Sequence, residues 1–221
     1  MSSIEILFNK RGHAKSPVEI SRKITRFGNS YNNTVAEIIK MSSVLDPDGK
    51  TFVDCASKIL SNFGMTRRGP FQNDRNQILQ YCWDQVGTKL LDINKSVLDK
   101  GVMRDRYLLS ITIAEREKII EKIWVITKEL LPFTIGKSTF GLVGASKILF
   151  SVLPEIVLPV DNAQWLHVFK TVDLGDIINF MASDIQMWEM ATGIEFNTLD
   201  QSNQLTTLPS VYNVIAMGAR P

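Results

Sequence analysis

The sequence predicts an all-α fold, built as a single compact helical domain over residues 1–221. Two observations favour helices: apolar residues recur every three to four positions along most of the chain, and serine, proline and glycine punctuate these periodic segments. A third observation is that strict apolar/polar alternation, typical of a half-buried strand, is lacking beyond the N-terminus. An alternative division gives two lobes, residues 16–110 and 111–221, preceded by an arm or tail over residues 1–15.

The first part of the chain contains an N-terminal apolar segment and four predicted helices. Residues 4–8 are predicted as a short strand or as an arm that docks on the body. Ser16 and Pro17, with Glu19 in the first turn, begin the first helix, since serine caps helices and proline suits their first position. Three further helices are predicted at residues 33–44, 51–63 and 73–91, and a charged linker or solvated helix at residues 92–106.

Three more helices are predicted in the second part of the chain, at residues 113–130, 174–191 and 210–218. The first of these should end at Leu130-Leu131-Pro132, because proline disrupts a helix interior. Apolar helical faces carry three tryptophans that we expect to be shielded from water: Trp83, Trp124 and Trp188. Trp165 is predicted to be more accessible, because it lies among the candidate functional residues.

Charge is distributed unevenly along the chain, although the formal net charge is only +2. Residues 1–70 carry eleven Lys/Arg against six Asp/Glu, whereas residues 139–221 carry three against eight. A basic N-terminal side permits a polyanion such as nucleic acid to bind there, because neutralising phosphates provides sequence-independent affinity. The alternative is that the basic and acidic ends of the chain pack against each other.

Several classes of protein are disfavoured by composition. No apolar run is long enough to span a bilayer and the N-terminus lacks a secretory signal, so we expect an intracellular protein of the cytoplasm or nucleoid. Cys55 and Cys82 have no CxxC spacing, and His13 and His167 are far apart in sequence. We therefore expect buried thiols, no metal site and no cofactor. The sequence does not indicate an oligomeric state.

Glycine and lysine are concentrated between residues 135 and 147, in the stretch with the strongest functional signal. Gly136-Lys137-Ser138-Thr139 resembles the end of a P-loop, but Leu131 occupies the position of the required earlier glycine. A helix, a short glycine-containing turn and a second helix instead indicate a helix-hairpin-helix element, whose backbone N–H groups can face a DNA phosphate. Arg67 and Arg68, in a loop with glycine and proline, can also contact phosphate, unless that loop is merely surface.

Two segments of this stretch resemble a known family. Residues 131–139 and 158–167, LPFTIGKST and LPVDNAQWLH, are similar to the hairpin and the following proline-valine-aspartate segment of helix-hairpin-helix DNA glycosylases. The resemblance implies base excision on DNA, with Asp161 as the catalytic carboxylate and a hairpin lysine that attacks C1′ in members with AP-lyase activity. It also implies that a flipped base enters an aromatic pocket, for which the candidates are Trp165, His167 and Phe169.

Two registers of the hairpin are open. In one, Gly136 is the hairpin glycine and Lys137 the nucleophile; in the other, Gly141-Leu-Val-Gly144 is the hairpin and Lys147 the nucleophile. The predicted DNA contacts across both registers and the arginine loop are Gly136, Lys137, Ser138, Gly144, Arg67 and Arg68.

Each candidate catalytic residue also has a structural interpretation. Asp161 is well placed to cap the helix that follows it, and Lys147 to be an ordinary helix lysine whose stem lies on apolar neighbours. Trp165 and His167 are equally suited to packing. The sequence therefore favours two functions: a DNA glycosylase with or without AP-lyase activity, or a non-catalytic helical module that binds nucleic acid or protein.

Overall fold

A computed structural model describes residues 6–27, 29–67, 69–98, 104–135, 141–201 and 207–219. These residues form nine α-helices and no β-strand, which confirms the all-α prediction. The helices are α1 (Pro17–Arg26), α2 (Asn29–Ser42), α3 (Lys50–Asn62), α4 (Arg75–Leu98), α5 (Tyr107–Ser110), α6 (Ile113–Thr134), α7 (Leu142–Val152), α8 (Leu174–Thr192) and α9 (Leu208–Gly218). Two 3-10 turns, Arg104–Arg106 and Phe196–Leu199, and a π-helical segment, Gln164–Phe169, complete the described elements.

The centre of the fold is α7, which packs against α2, α3 and α6. Every residue of α7 from Val143 to Val152 is buried, because the helix is apolar on nearly all sides and neighbours surround it. Close approach of α6 depends on Gly144, where a Cβ atom would lie 2.9 Å from the Cβ of Thr134. Thus α7, from the second predicted lobe, packs directly on helices of the first.

Local signals for helix ends agree with the structure in several places. The Ser16 hydroxyl accepts a hydrogen bond from the Glu19 N–H at 3.2 Å, as expected of a cap at the start of α1. By contrast, α4 runs on to Leu98, because Ile93 and Val97 continue its buried stripe through the charged segment. The prediction that the next helix ends at Pro132 is wrong by two residues: α6 includes Pro132 in its last turn, where the missing N–H removes a single backbone hydrogen bond.

The N-terminal segment is an arm docked on α8, with one isolated antiparallel bridge between Phe8 and Ala14. Ile6 and Leu7 are fully buried. The Lys15 N–H donates to the Leu7 carbonyl at 2.8 Å, and the Trp188 indole N–H donates to the Lys15 carbonyl at 2.8 Å. Of the two alternatives for residues 4–8, the docking arm therefore describes Ile6, Leu7 and Phe8; the first two positions of that range lie outside the described residues.

Beneath this arm lies a buried carboxylate, Asp184 of α8. It accepts a hydrogen bond from the Tyr212 hydroxyl at 2.8 Å, which ties α8 to α9. Burial raises the pKa of the Asp184 carboxyl to about 6, although hydrogen bonds from Tyr212 and from the Leu7 N–H oppose the increase. The arm, α8 and α9 thus meet at the Asp184 carboxyl, whose charge changes with pH.

The tryptophan predictions are correct for two of the four residues. Trp83 and Trp188 are buried, as expected. Trp124 is 36% exposed, because the buried stripe of α6 passes through Ile123 and Ile126 and leaves Trp124 at its edge. Trp165 is only 4% exposed, because the π-helical segment packs on α9. The last two predictions are wrong.

Candidate nucleic-acid interface

The junction between α6 and α7 contains both candidate hairpins. Gly136, Lys137 and Ser138, which belong to the first register, lie outside the described residues. In the second register, Gly141 precedes α7 with a φ of 81°, a left-handed conformation that favours glycine, and Gly144 lies in the first turn of α7. The helices on either side pack together, and the helix-hairpin-helix element itself stays a prediction.

Lys147, the candidate nucleophile of the second register, is directed into the fold. Its side chain is 2% exposed, and its Nζ lies 4.6 Å from the centre of the Phe63 ring at the end of α3. An ammonium group over an aromatic face is stabilised by a cation–π interaction, which strengthens when water is excluded. In this position the amine contacts the protein interior rather than solvent.

Asp161, the candidate catalytic carboxylate, is partly buried and engaged at the start of the next helical segment. Its Oδ1 accepts from the Gln164 N–H at 2.8 Å, and its own N–H donates to Gln164 Oε1 at 2.8 Å. This reciprocal pair is a capping box, which satisfies two backbone donors at once. The arrangement matches the capping alternative for Asp161.

Ser146 brings the two candidate catalytic positions into neighbouring parts of the core. Its hydroxyl oxygen accepts from the Val160 N–H at 3.1 Å and lies 3.2 Å from the Val160 carbonyl oxygen. Because Ser146 precedes Lys147 and Val160 precedes Asp161, the backbones that carry these two residues are adjacent. Their side chains nevertheless have different contacts, with Phe63 and with Gln164 respectively.

The three residues proposed for a base pocket do not share one environment. Trp165 and Phe169 are buried, and the Phe169 ring packs edge-on against Phe180 with 6.2 Å between centroids. His167 lies on the surface. Among the described residues the Trp165 indole N–H has no hydrogen-bond partner, which is unusual for a buried donor.

The loop between α3 and α4 reaches the first turn of α7. Phe71 is buried, and a Cβ atom built on Gly144 would lie 3.4 Å from the Phe71 ring. Arg67 precedes Phe71 in this loop and is exposed, whereas Arg68 lies outside the described residues. The structure therefore brings Arg67's loop and Gly144, two predicted DNA contacts distant in sequence, to one end of the helical bundle.

A cleft of about 560 Å³ opens beside this contact. Its lining residues are mostly polar and come from the loop and the first turn of α4: Thr66, Phe71, Gln72, Asp74, Arg75, Asn76 and Gln77. The Arg75 Nη1 donates to the Ser61 hydroxyl at 2.9 Å, which positions the guanidinium without neutralising it. Asn76 and Gln77 are exposed, and Asp74 supplies the carboxylate of the lining.

Sequence reasoning did not include Arg75, Asn76 or Gln77 in a site. The available signal was Phe71, an aromatic residue that follows Gly69-Pro70 and precedes the polar run Gln72-Asn73-Asp74. An apolar residue in such a loop indicates an anchor to the core, and the residues next to an anchor are held in place.

No family model, curated protein or solved structure matches this chain. Within the described residues, no group of three or more histidine, cysteine, aspartate or glutamate side chains is arranged to hold a metal ion. None of the described helices combines the length and apolar character needed to cross a membrane.

Proposed function

We propose that this chain is a non-catalytic helical module that binds nucleic acid at the bundle end where the α3–α4 loop meets α7. The observation that carries the proposal is the close approach of the Phe71 ring to Gly144, where an added Cβ atom would lie 3.4 Å from the ring. This approach joins the loop of Arg67 to the candidate hairpin. Arg75, on the other side of Phe71 in sequence, lines the adjacent cleft. The guanidinium groups of Arg67 and Arg75 then lie in one region, beside the buried first turn of α7.

The chemistry of this surface suits a phosphate backbone and exposed bases. Arginine donates paired hydrogen bonds to phosphate oxygens, and asparagine and glutamine side chains can pair with base edges. Arg75 and the exposed amides of Asn76 and Gln77 lie in consecutive positions on the cleft wall. Asp74 disfavours an anion at its own edge of the cleft, so the phosphates should lie toward the two arginines.

The internal contacts of the candidate catalytic residues support a binding role over a catalytic one. An amine that attacks C1′ of a sugar must reach the surface, whereas Lys147 lies against Phe63 and is 2% exposed. A carboxylate that stabilises an oxocarbenium charge must face the sugar, whereas Asp161 accepts the Gln164 N–H.

Fluorescence anisotropy with labelled single-stranded and duplex DNA and RNA tests the binding proposal. Arg67→Gln and Arg75→Gln should each weaken binding, because each removes one phosphate contact. Lys95→Gln is the matched control: it also removes one positive charge from an exposed position, about 30 Å from Arg75 along α4 at the usual helical rise. Equal losses in all three variants, or no binding of any probe, would contradict the proposal.

A DNA glycosylase is the second candidate, and one observation favours it. The hydrogen bonds between Ser146 and Val160 hold Lys147 and Asp161 in adjacent backbone positions, as a shared active site would require. If Lys147 turns outward when DNA binds, borohydride should trap a covalent adduct with DNA that carries an abasic site. Lys147→Ala should then abolish trapping, and Asp161→Asn should slow base release while still capping its helix.

The same experiment distinguishes the two hairpin registers and the two functions. Trapping that persists in Lys147→Ala but is lost in Lys137→Ala would assign the chemistry to the first register. DNA binding without trapping or base release across a panel of lesions would exclude the glycosylase and leave the binding module.

A further inference from the structure

A second concave surface lies along the outer face of α1, on a different element from the bundle end described above. It is an open concavity of about 310 Å³, lined by Val18, Ser21, Arg22, Thr25, Arg26 and Gln201. Four of the lining residues from α1 lie three, four, seven and eight positions after Val18. Together with Val18 they therefore form one stripe along the helix. The opposite stripe, with Ile20 and Ile24, is buried in the core.

The charge on this stripe is positive and uncompensated. Arg22 and Arg26 are four residues apart, and within the described residues neither forms an ion pair. The neighbouring Lys23, in contrast, is paired with Glu19 at 3.1 Å. Like charges one turn apart on a helix repel each other and destabilise it. A bound anion between the two guanidinium groups would remove that repulsion.

Other groups in the pocket supply neutral donors and an apolar rim. The Ser21 hydroxyl and the Gln201 amide line the pocket, whereas the Thr25 hydroxyl already donates to the Ser21 carbonyl at 3.0 Å. Val18 is 67% exposed at one end of the stripe. Asp200 precedes Gln201 but is buried and is not part of the lining.

We propose that the Arg22–Arg26 pocket binds a phosphate monoester. A phosphate monoester carries a charge of about −1.5 to −2 at neutral pH. The two guanidinium groups therefore match its charge better than they match the single charge of a carboxylate. Three phosphate oxygens can accept from both arginines and from Ser21 or Gln201, and the carbon attached to the ester can contact Val18. A pocket of about 310 Å³ is at the lower end of the range for small-ligand sites, roughly 300–1,000 Å³.

Isothermal titration calorimetry of the full chain tests this pocket with inorganic phosphate, O-phosphoserine and an alanine-flanked phosphoserine peptide as probes, and with serine as the negative control. We expect O-phosphoserine to bind and serine not to bind. Arg22→Gln and Arg26→Gln should each weaken binding of O-phosphoserine at least tenfold. Lys23→Gln, which removes a charge from the same helix outside the pocket, should leave the affinity unchanged.

Comparison of the phosphopeptide with O-phosphoserine distinguishes the sources of the phosphate. Tighter binding of the phosphopeptide than of O-phosphoserine would assign the pocket to phosphorylated protein segments, and equal binding would assign it to small phosphate esters. Loss of affinity in Lys23→Gln equal to that in Arg22→Gln would show general charge attraction and overturn the site, as would no binding of any probe by a folded protein. Failure here leaves the bundle-end proposal intact, because Arg67 and Arg75 are not part of this pocket.

Discussion

The stability of this protein should fall as pH rises from about 4 to 6, because of Asp184. The side chain is 3% exposed and lies beneath the N-terminal arm, where burial raises its pKa from 3.8 to about 6. A carboxyl whose pKa is higher in the folded state than in the unfolded state binds its proton more tightly when folded. The stabilisation is therefore complete below about pH 4 and is lost as pH rises through about 6.

The difference of about 2 pH units corresponds to about 3 kcal/mol, at about 1.4 kcal/mol per unit. Urea denaturation of the wild type and of Asp184→Asn, at pH values from 4 to 7, measures this contribution, since asparagine does not titrate. The unfolding free energy of the wild type relative to the variant should decrease by about 2–3 kcal/mol across that range, because the unfolded carboxyl is already partly ionised at pH 4. Tyr212→Phe removes a hydrogen bond that lowers the pKa of Asp184, and so should shift the transition to higher pH.

A flat difference between the wild type and Asp184→Asn from pH 4 to 7 would refute this reasoning. It would mean that the carboxyl has the same proton affinity in the folded and unfolded states. A transition in the opposite direction, with stability increasing as pH rises, would mean that hydrogen bonds to the carboxylate outweigh the effect of burial.

Two further substitutions test the packing of the core by urea denaturation. Gly49→Ala should destabilise the fold by about 1–3 kcal/mol or more, because Gly49 has a φ of 80° and a Cβ atom there would lie 2.4 Å from the Trp83 ring; unchanged stability would show that the indole moves freely. Ser146→Ala should cost about 1–3 kcal/mol, because it leaves the buried Val160 N–H without its acceptor at 3.1 Å. A loss no larger than that expected of an exposed serine would show that Val160 finds another partner.

Local signals in the sequence were sufficient to predict most helices. The Ser16 hydroxyl accepts from the Glu19 N–H only three residues away, so local sequence alone predicts the start of α1. Pro132 misled the prediction because proline usually ends or kinks a helix, whereas α6 continues through Pro132 to Thr134 without one backbone hydrogen bond. Charged residues after position 91 concealed the buried stripe of Ile93 and Val97.

The environment of individual side chains was less predictable, because it depends on which face of a helix the neighbouring elements cover. Trp124 and Trp165 exchange their expected environments, since α6 presents Ile123 to the core and the π-helical segment packs on α9. The orientation of Lys147 toward Phe63 likewise required the position of α3. In contrast, the capping role of Asp161 was predictable as an alternative, because its partner Gln164 is three residues away.

The salt dependence of nucleic-acid binding tests the central claim most directly. A plot of log affinity against log salt concentration, between about 50 and 200 mM, has a slope of about −0.9 per phosphate contact on duplex DNA. The double variant Arg67→Gln/Arg75→Gln should therefore have a slope shallower than that of the wild type by about 2, whereas Lys95→Gln should retain the wild-type slope. Identical slopes for the wild type and the double variant, with both proteins folded, would show that the bundle end does not contact phosphate.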